Sequence, residues 1–190
     1  MLSPDEIRYS IKVMRQTFPE AGTTLIADTN YHFLLATILS AQSTDQSVNE
    51  VTSALFARFP LPADLAGVEP AEVEPYIKRL GLYRNKAKFL VKTSQQIVTD
   101  FNGEVPHTLK ELMTLSGVGR KVADVVLAEC FNIPAFPVDT HVSRVARRLR
   151  MVEPKASVLA IEKKLMKTIP PEHWLDAHHS MIFCGRYVCT

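Results

Sequence analysis

Apolar residues recur every three or four positions along almost the whole chain. Ala87, Leu90, Val91, Ile97, Val98 and Phe101, with Ser94 among them, share one helix face, and Asn102-Gly103 then stops the helix. Val48, Val51, Leu55 and Phe59 repeat the pattern behind Ser43-Thr44-Asp45, side chains suited to cap the open N–H groups of a helix start. Ile7, Ile11 and Met14 do so between Ser3 and Phe18. Val142, Val145, Ala146 and Leu149 follow Pro137-Val138-Asp139-Thr140. Val158, Ile161, Leu165 and Ile169 follow Pro154 and end at Pro170-Pro171. Alternating runs joined by hairpin turns are absent, which argues against a sheet. The spacing predicts an all-α protein of roughly nine to eleven short helices joined by brief loops.

The chain has 190 residues, 46% hydrophobic and 22% charged, enough to build a folded core. No apolar run reaches the length of a membrane span, and no membrane partner is expected. Met1-Leu2-Ser3-Pro4-Asp5-Glu6 does not have the pattern of a secretory signal. Cys130, Cys184 and Cys189 lack disulfide spacing, and a reducing cytoplasm is the expected compartment. A net charge of +2 excludes a polycation but allows a local basic face.

The most informative stretch is Leu112-Met113-Thr114-Leu115-Ser116-Gly117-Val118-Gly119-Arg120-Lys121. A short helix ends, Gly-Val-Gly turns the chain, and a second helix begins. Two readings fit. One is an ordinary αα-hairpin with a glycine turn. The other is a phosphate cradle, since glycines admit an anion to the unpaired N–H groups and positive dipole of a helix start. Downstream, Arg144, Arg147 and Arg148 share a helix face, and few acidic residues lie between Lys121 and Arg150. Such a face is either simply solvated or binds a polyanion.

Lys121 falls in the first turn behind the glycines. It is either a solvated lysine or, where the helix dipole and partial burial favour the neutral amine, a nucleophile able to form a Schiff base with a sugar aldehyde carbon. Asp139 reads as a helix N-cap. A carboxylate in that place can also stabilise positive charge on a sugar.

Leu115-Ser116-Gly117-Val118-Gly119-Arg120-Lys121, followed by Val138-Asp139-Thr140-His141-Val142, resembles the hairpin-and-aspartate signature of the helix-hairpin-helix (HhH-GPD) DNA base-excision glycosylases. The resemblance extends to Leu39-Ser40-Ala41-Gln42-Ser43-Thr44-Asp45, to Gly81-Leu82-Tyr83-Arg84-Asn85-Lys86-Ala87 and to Asn102-Gly103-Glu104-Val105-Pro106. Near the end, His178-His179 and Cys184-Gly185-Arg186-Tyr187-Val188-Cys189 continue it. It implies two helical domains with a cleft between them: a six-helix barrel over residues 22–133, and a second domain joining 1–21 to 134–190.

It also implies a glycosylase with abasic-site lyase activity on oxidised pyrimidines in damaged double-stranded DNA. Lys121 would attack C1′, Asp139 would assist base departure, and β-elimination would cut the strand. Gln42 and Leu82 would fill the gap left by a flipped base; read without the resemblance, they are a loop-end cap and a core residue. Gly117, Val118, Gly119, Arg120, Arg144, Arg147 and Arg148 would hold DNA. A monomer in the cytoplasm, associated with the nucleoid, is expected. The alternatives are a monofunctional mismatch or adenine glycosylase, against which Lys121 argues, and a non-catalytic DNA-binding module.

The sequence departs from the family in places. Ser116 stands where proline is common, which predicts a slightly looser turn. Asp124 stands where asparagine is common, and Ser180 where an aromatic is usual. Cys189 matches the first of four 4Fe-4S ligands, and Thr190 ends the given sequence. With four thiolates normally required, no cofactor is expected on the chain as given. A cluster is expected only if the natural chain continues past Thr190. Otherwise Cys189 is an ordinary thiol in a C-terminal end expected to fray.

Overall fold

A computed structural model describes all 190 residues. It contains α1 (Pro4–Thr17), α2 (Asn30–Leu39), α3 (Asp45–Arg58), α4 (Pro62–Ala66), α5 (Pro70–Ile77), α6 (Tyr83–Asp100) and α7 (Leu109–Leu112). Then follow α8 (Arg120–Phe131), α9 (Thr140–Arg148), α10 (Val158–Thr168), a 3-10 turn (Pro171–His173) and α11 (Trp174–Tyr187), with no strands. Side-chain oxygens of Ser3, Thr29, Thr44, Thr108, Asp139 and Ser157 each accept from an N–H in the first turn of the helix they precede. At the other end of α6, the Gly103 N–H returns to Ile97 O at 2.9 Å.

The chain divides into two compact units: Thr24–Phe131, and Met1–Thr23 together with Asn132–Thr190. The boundaries expected from the sequence lie two residues away at each end. The continuous unit holds seven helices rather than six, because α7 is a separate four-residue turn. Its centre is α2, buried from Tyr31 to Leu39. A helix apolar all round belongs inside a core, and α2 packs against α3, α6 and α8. The Tyr31 hydroxyl meets Ser94 Oγ at 2.7 Å and fastens α2 to α6. In turn α6 packs along α4 and α5.

The two-segment unit closes around Ile7, Ile11, Met14, Phe136, Val142, Val145, Ile161, Leu165 and Met181. Here α1 packs on α10 and α11, and α9 packs on the same two helices. The contact of α9 with α11 depends on Gly185, where a Cβ would lie 2.9 Å from His141 Cβ. Removing a fully buried side chain such as Ile7 or Leu34 to alanine costs about 2–5 kcal/mol.

Candidate functional site

The hairpin lies in the continuous unit. From α7 the chain passes through Met113–Ser116, turns at Gly117 with φ +78° and enters α8. Leu115 and Val118 are buried and seat the turn. The Val118 N–H donates to Leu115 O at 3.2 Å. Val118 was expected among the DNA contacts, but its side chain and its N–H are both engaged inside the protein. Gly119, by contrast, is open, with nothing within 4 Å of a Cβ position. Gly119 O opens α8 by accepting from the Ala123 N–H at 3.0 Å.

One face of α6 clamps this turn. Gln96 Oε1 accepts from the Ser116 N–H at 2.8 Å, and Gln96 Nε2 donates to Thr114 O at 2.9 Å. Thr93 Oγ1 donates to Ser116 O at 2.5 Å. Phe89 lies so close to Gly117 that a Cβ there would meet its ring at 3.0 Å. The turn that Ser116 was expected to loosen is held by these bonds. Proline has no N–H, whereas Ser116 supplies the donor that Gln96 binds. Sequence reasoning missed Phe89, Thr93 and Gln96. Their spacing of four and then three residues marked one helix face, but that face was masked by the stronger apolar period beside it.

Lys121 is the second residue of α8 and is half-buried, as is Arg120 before it. Arg120 Nε lies 4.0 Å from Asp124 Oδ2, so the buried Asp124 carboxylate has an ionic partner one turn back. Three exposed residues with left-handed backbone lie in loops of the same unit: Gln42, Leu82 and Asn102, the last at the glycine stop of α6. Gln42 has φ +55° in the α2–α3 loop, and Leu82 has φ +58° at the start of α6. Leu82 is 57% exposed, so the core reading does not apply to it. A left-handed conformation costs a non-glycine residue roughly 1–2 kcal/mol. An exposed leucine held that way points to a use outside folding.

In the two-segment unit, Asp139 caps α9: its Oδ1 accepts from the Val142 N–H at 2.8 Å. The arginines that follow hold protein carbonyls. Arg144 donates through Nε to Cys189 O at 3.0 Å and through Nη2 to Gly185 O at 2.5 Å. Arg147 Nη2 donates to Ala156 O at 2.8 Å, and Arg148 Nη1 to Thr190 O at 2.5 Å. The expected fraying of the last residues is thereby corrected, because α9 fixes them through charged donors. Arg148 is the exposed member of the three.

The three thiols of these residues do not by themselves make up a 4Fe-4S ligand set. Cys189 Sγ lies 3.7 Å from Arg148 Nη1, and burial raises the Cys184 thiol above its ordinary pKa. No group of three or more His, Cys, Asp or Glu side chains converges on a metal position. The four thiolates such a cluster requires are not present.

A glycine-turned hairpin clamped inside a helical unit, with a lysine behind it and a capping aspartate before a later helix, defines the helix-hairpin-helix class of DNA repair folds. Residues 35–171 match the family described as HhH-GPD superfamily base excision DNA repair protein, and the chain belongs to that family. It is 44% identical to endonuclease III of Bacillus subtilis (strain 168) over 189 residues, covering 100% of this chain and 86% of that protein. It is 40% identical to endonuclease III of Escherichia coli (strain K12) over 176 residues, 93% of this chain and 83% of that protein. The fold superimposes on a trapped endonuclease III–DNA covalent intermediate, an estranged-adenine complex, with TM-score 0.97 and 46% identity. That match covers 100% of this chain and 89% of that one. A thermostable thymine-DNA glycosylase, 18% identical, shares the fold with TM-score 0.82 over 96% of this chain and 87% of its own.

Proposed function

We infer that the protein is a base-excision repair DNA glycosylase with abasic-site lyase activity, and that Lys121 is its nucleophile. The observation that carries this is the place of Lys121: half-buried in the first turn of α8, directly behind a glycine turn that α6 holds in one conformation. The relatives named endonuclease III, and the trapped covalent DNA intermediate of a similar chain, support it.

In the reaction, the neutral Lys121 amine attacks C1′ of the flipped nucleotide. The C1′–base bond breaks, and the base leaves with the bonding pair and takes up a proton. Ring opening gives an iminium linking Nζ to C1′. Loss of a proton from C2′ then expels the 3′ phosphate, and water releases the amine. The Asp139 carboxylate stabilises positive charge on the sugar while the base departs. Its Oδ1 caps α9, so one side chain is oriented by the helix it starts.

Gln42 and Leu82 enter the duplex where the flipped base has left. A backbone phosphate lies at Gly119, with Arg120 and Arg148 adding charge; such contacts fix position and carry little base specificity. Arg144 and Arg147 contribute by holding the loops beside Arg148. The substrates are oxidised pyrimidines and abasic sites in damaged duplex DNA, and the protein acts as a monomer at the nucleoid. A monofunctional glycosylase needs no amine behind the hairpin, so Lys121 argues against that alternative.

The test is borohydride trapping on an abasic-site oligonucleotide. Wild-type protein is expected to give a covalent adduct, and Lys121→Gln none, with lesion binding largely retained. Undiminished trapping by Lys121→Gln would assign the nucleophile to another amine. The absence of any adduct with wild-type protein would refute the lyase itself.

A further inference from the structure

Lys86 is a charged residue inside the continuous unit that the proposed chemistry does not use. It sits one turn into α6 and is only 3% exposed. Its N–H donates to Leu82 O at 3.0 Å, closing the helical turn that holds Leu82 left-handed. Its Nζ crosses to the α2–α3 loop and donates to Ser43 Oγ at 2.8 Å. Ser43 directly follows Gln42, which is also exposed and left-handed, and its own N–H donates to Ser40 O at 3.1 Å. The loop has a further brace at its far end, where Thr44 and Ser47 hydroxyls meet at 2.8 Å across the start of α3. The backbone and side chain of one residue thus touch both strained loops.

A buried lysine is an expensive way to join two loops. Lysine carries a large side-chain entropy cost on burial, and an ammonium is poorly accommodated away from water. Burial lowers the Lys86 pKa, in the direction that this desolvation requires. A packed leucine or methionine in the same place would stabilise the core without that cost. What an aliphatic side chain cannot supply is a directional bond to Ser43.

We propose that Lys86 is a positioning residue that fixes Gln42 relative to Leu82, so that the two side chains enter a duplex as one preset wedge. The proposal rests on the wedge role given to Gln42 and Leu82 above. Each loop is a short turn that carries one exposed side chain, Gln42 or Leu82. With Nζ bound to Ser43, the spacing of the two prongs is set before DNA arrives, and base flipping does not have to order them. Lys86 touches no reacting atom. Its loss is felt only where a base must be extruded from a stack.

The experiment compares two substrates. The first is a duplex with one oxidised pyrimidine, read by single-turnover base release and by 2-aminopurine fluorescence opposite the lesion. The second is a single-stranded abasic-site oligonucleotide, read by borohydride trapping, where there is no stack to open. Lys86→Met and Ser43→Ala are each expected to slow release from the duplex about ten-fold or more and to blunt the fluorescence rise. The double variant should be no slower than either single one. Trapping on the single strand should stay within about two-fold of wild type, since no wedge acts there.

Equal loss on both substrates would mean general structural damage and would overturn the proposal. So would unaltered duplex release in Lys86→Met, or additive losses in the double variant. Gln42→Ala and Leu82→Ala test the wedge reading separately. If they leave duplex release unchanged, that reading fails, and the positioning role fails with it. If they slow release while Lys86→Met does not, only the positioning role is refuted.

Discussion

In the proposed reaction, the Asp139 carboxylate would meet two demands, a helix cap and a negative charge. Its Oδ1 holds the Val142 N–H, a bond that an asparagine side-chain oxygen can replace. The charge cannot be replaced. Asp139→Asn should therefore fold with nearly wild-type stability and release bases slowly, whereas Asp139→Ala should be slow and also about 1 kcal/mol less stable. Thermal melts beside single-turnover release separate the two effects; equal activity of Asn and wild type would remove Asp139 from the chemistry. Cys130 makes a different kind of statement. Burial, helped by the Glu129 charge, pushes its thiol from 9.0 to about 12. A raised acid contributes stability that is present below pH 9 and is lost as pH rises toward 12. Melts across that window should show a loss that Cys130→Ala flattens, and the folded protein should alkylate slowly at pH 8. Rapid alkylation of Cys130 would show the thiol is not protected. Both readings of Asp139 were open in the sequence, but the state of Cys130 was not. The Asp139 cap followed from its position before an apolar period, while the perturbation of Cys130 depends on neighbours that no local pattern encodes.

At the scale of elements, the periodic apolar faces were enough to locate α1, α3, α6, α9 and α10. Short elements were harder, because α4 and α7 span about one turn and offer no repeat to count. The hairpin was legible through Gly117 and Gly119, yet the bonds that clamp it were not. They come from Thr93 and Gln96 on a helix some twenty residues earlier. The distinction has a measurable form. Gly117→Ala must place a Cβ at φ +78° and 3.0 Å from the Phe89 ring, so it should lose about 1–3 kcal/mol. Gln96→Ala leaves the glycine backbone alone but frees the Ser116 N–H and Thr114 O from their partner. It should lose less stability, about 1 kcal/mol, and still weaken duplex binding. Chemical denaturation with parallel DNA titrations checks both. Gln96→Ala with unchanged DNA affinity would mean the clamp has no part in presenting the turn.

For the molecule as a whole, the two-segment unit is held by side chains within these 190 residues. Its core is apolar and made by its own helices, from Ile7 and Ile11 to Met181, and Arg144 and Arg148 fasten the last residues. A chain of these 190 residues is therefore expected to purify folded, colourless and without iron. A visible charge-transfer band with about four irons per chain would contradict this, and so would an aggregated product. The division into two units was less legible than the helices themselves. No composition break marks a boundary at Thr24 or Phe131, because both units use the same apolar helical pattern and only tertiary contacts separate them.

The unit built from two distant segments imposes an order of events during synthesis. As the chain leaves the ribosome, α1 emerges with Ile7, Ile11 and Met14 on one face, well before its packing partners α10 and α11. At ordinary elongation rates that interval is roughly ten to thirty seconds. The intervening residues Thr24–Phe131 already contain a complete core of their own. They can settle while the amphipathic first helix waits in solvent, where a chaperone or another nascent chain can reach it. The apolar stripe of α1 is thus open to error until α10 and α11 arrive to bury Ile7, Ile11 and Met14.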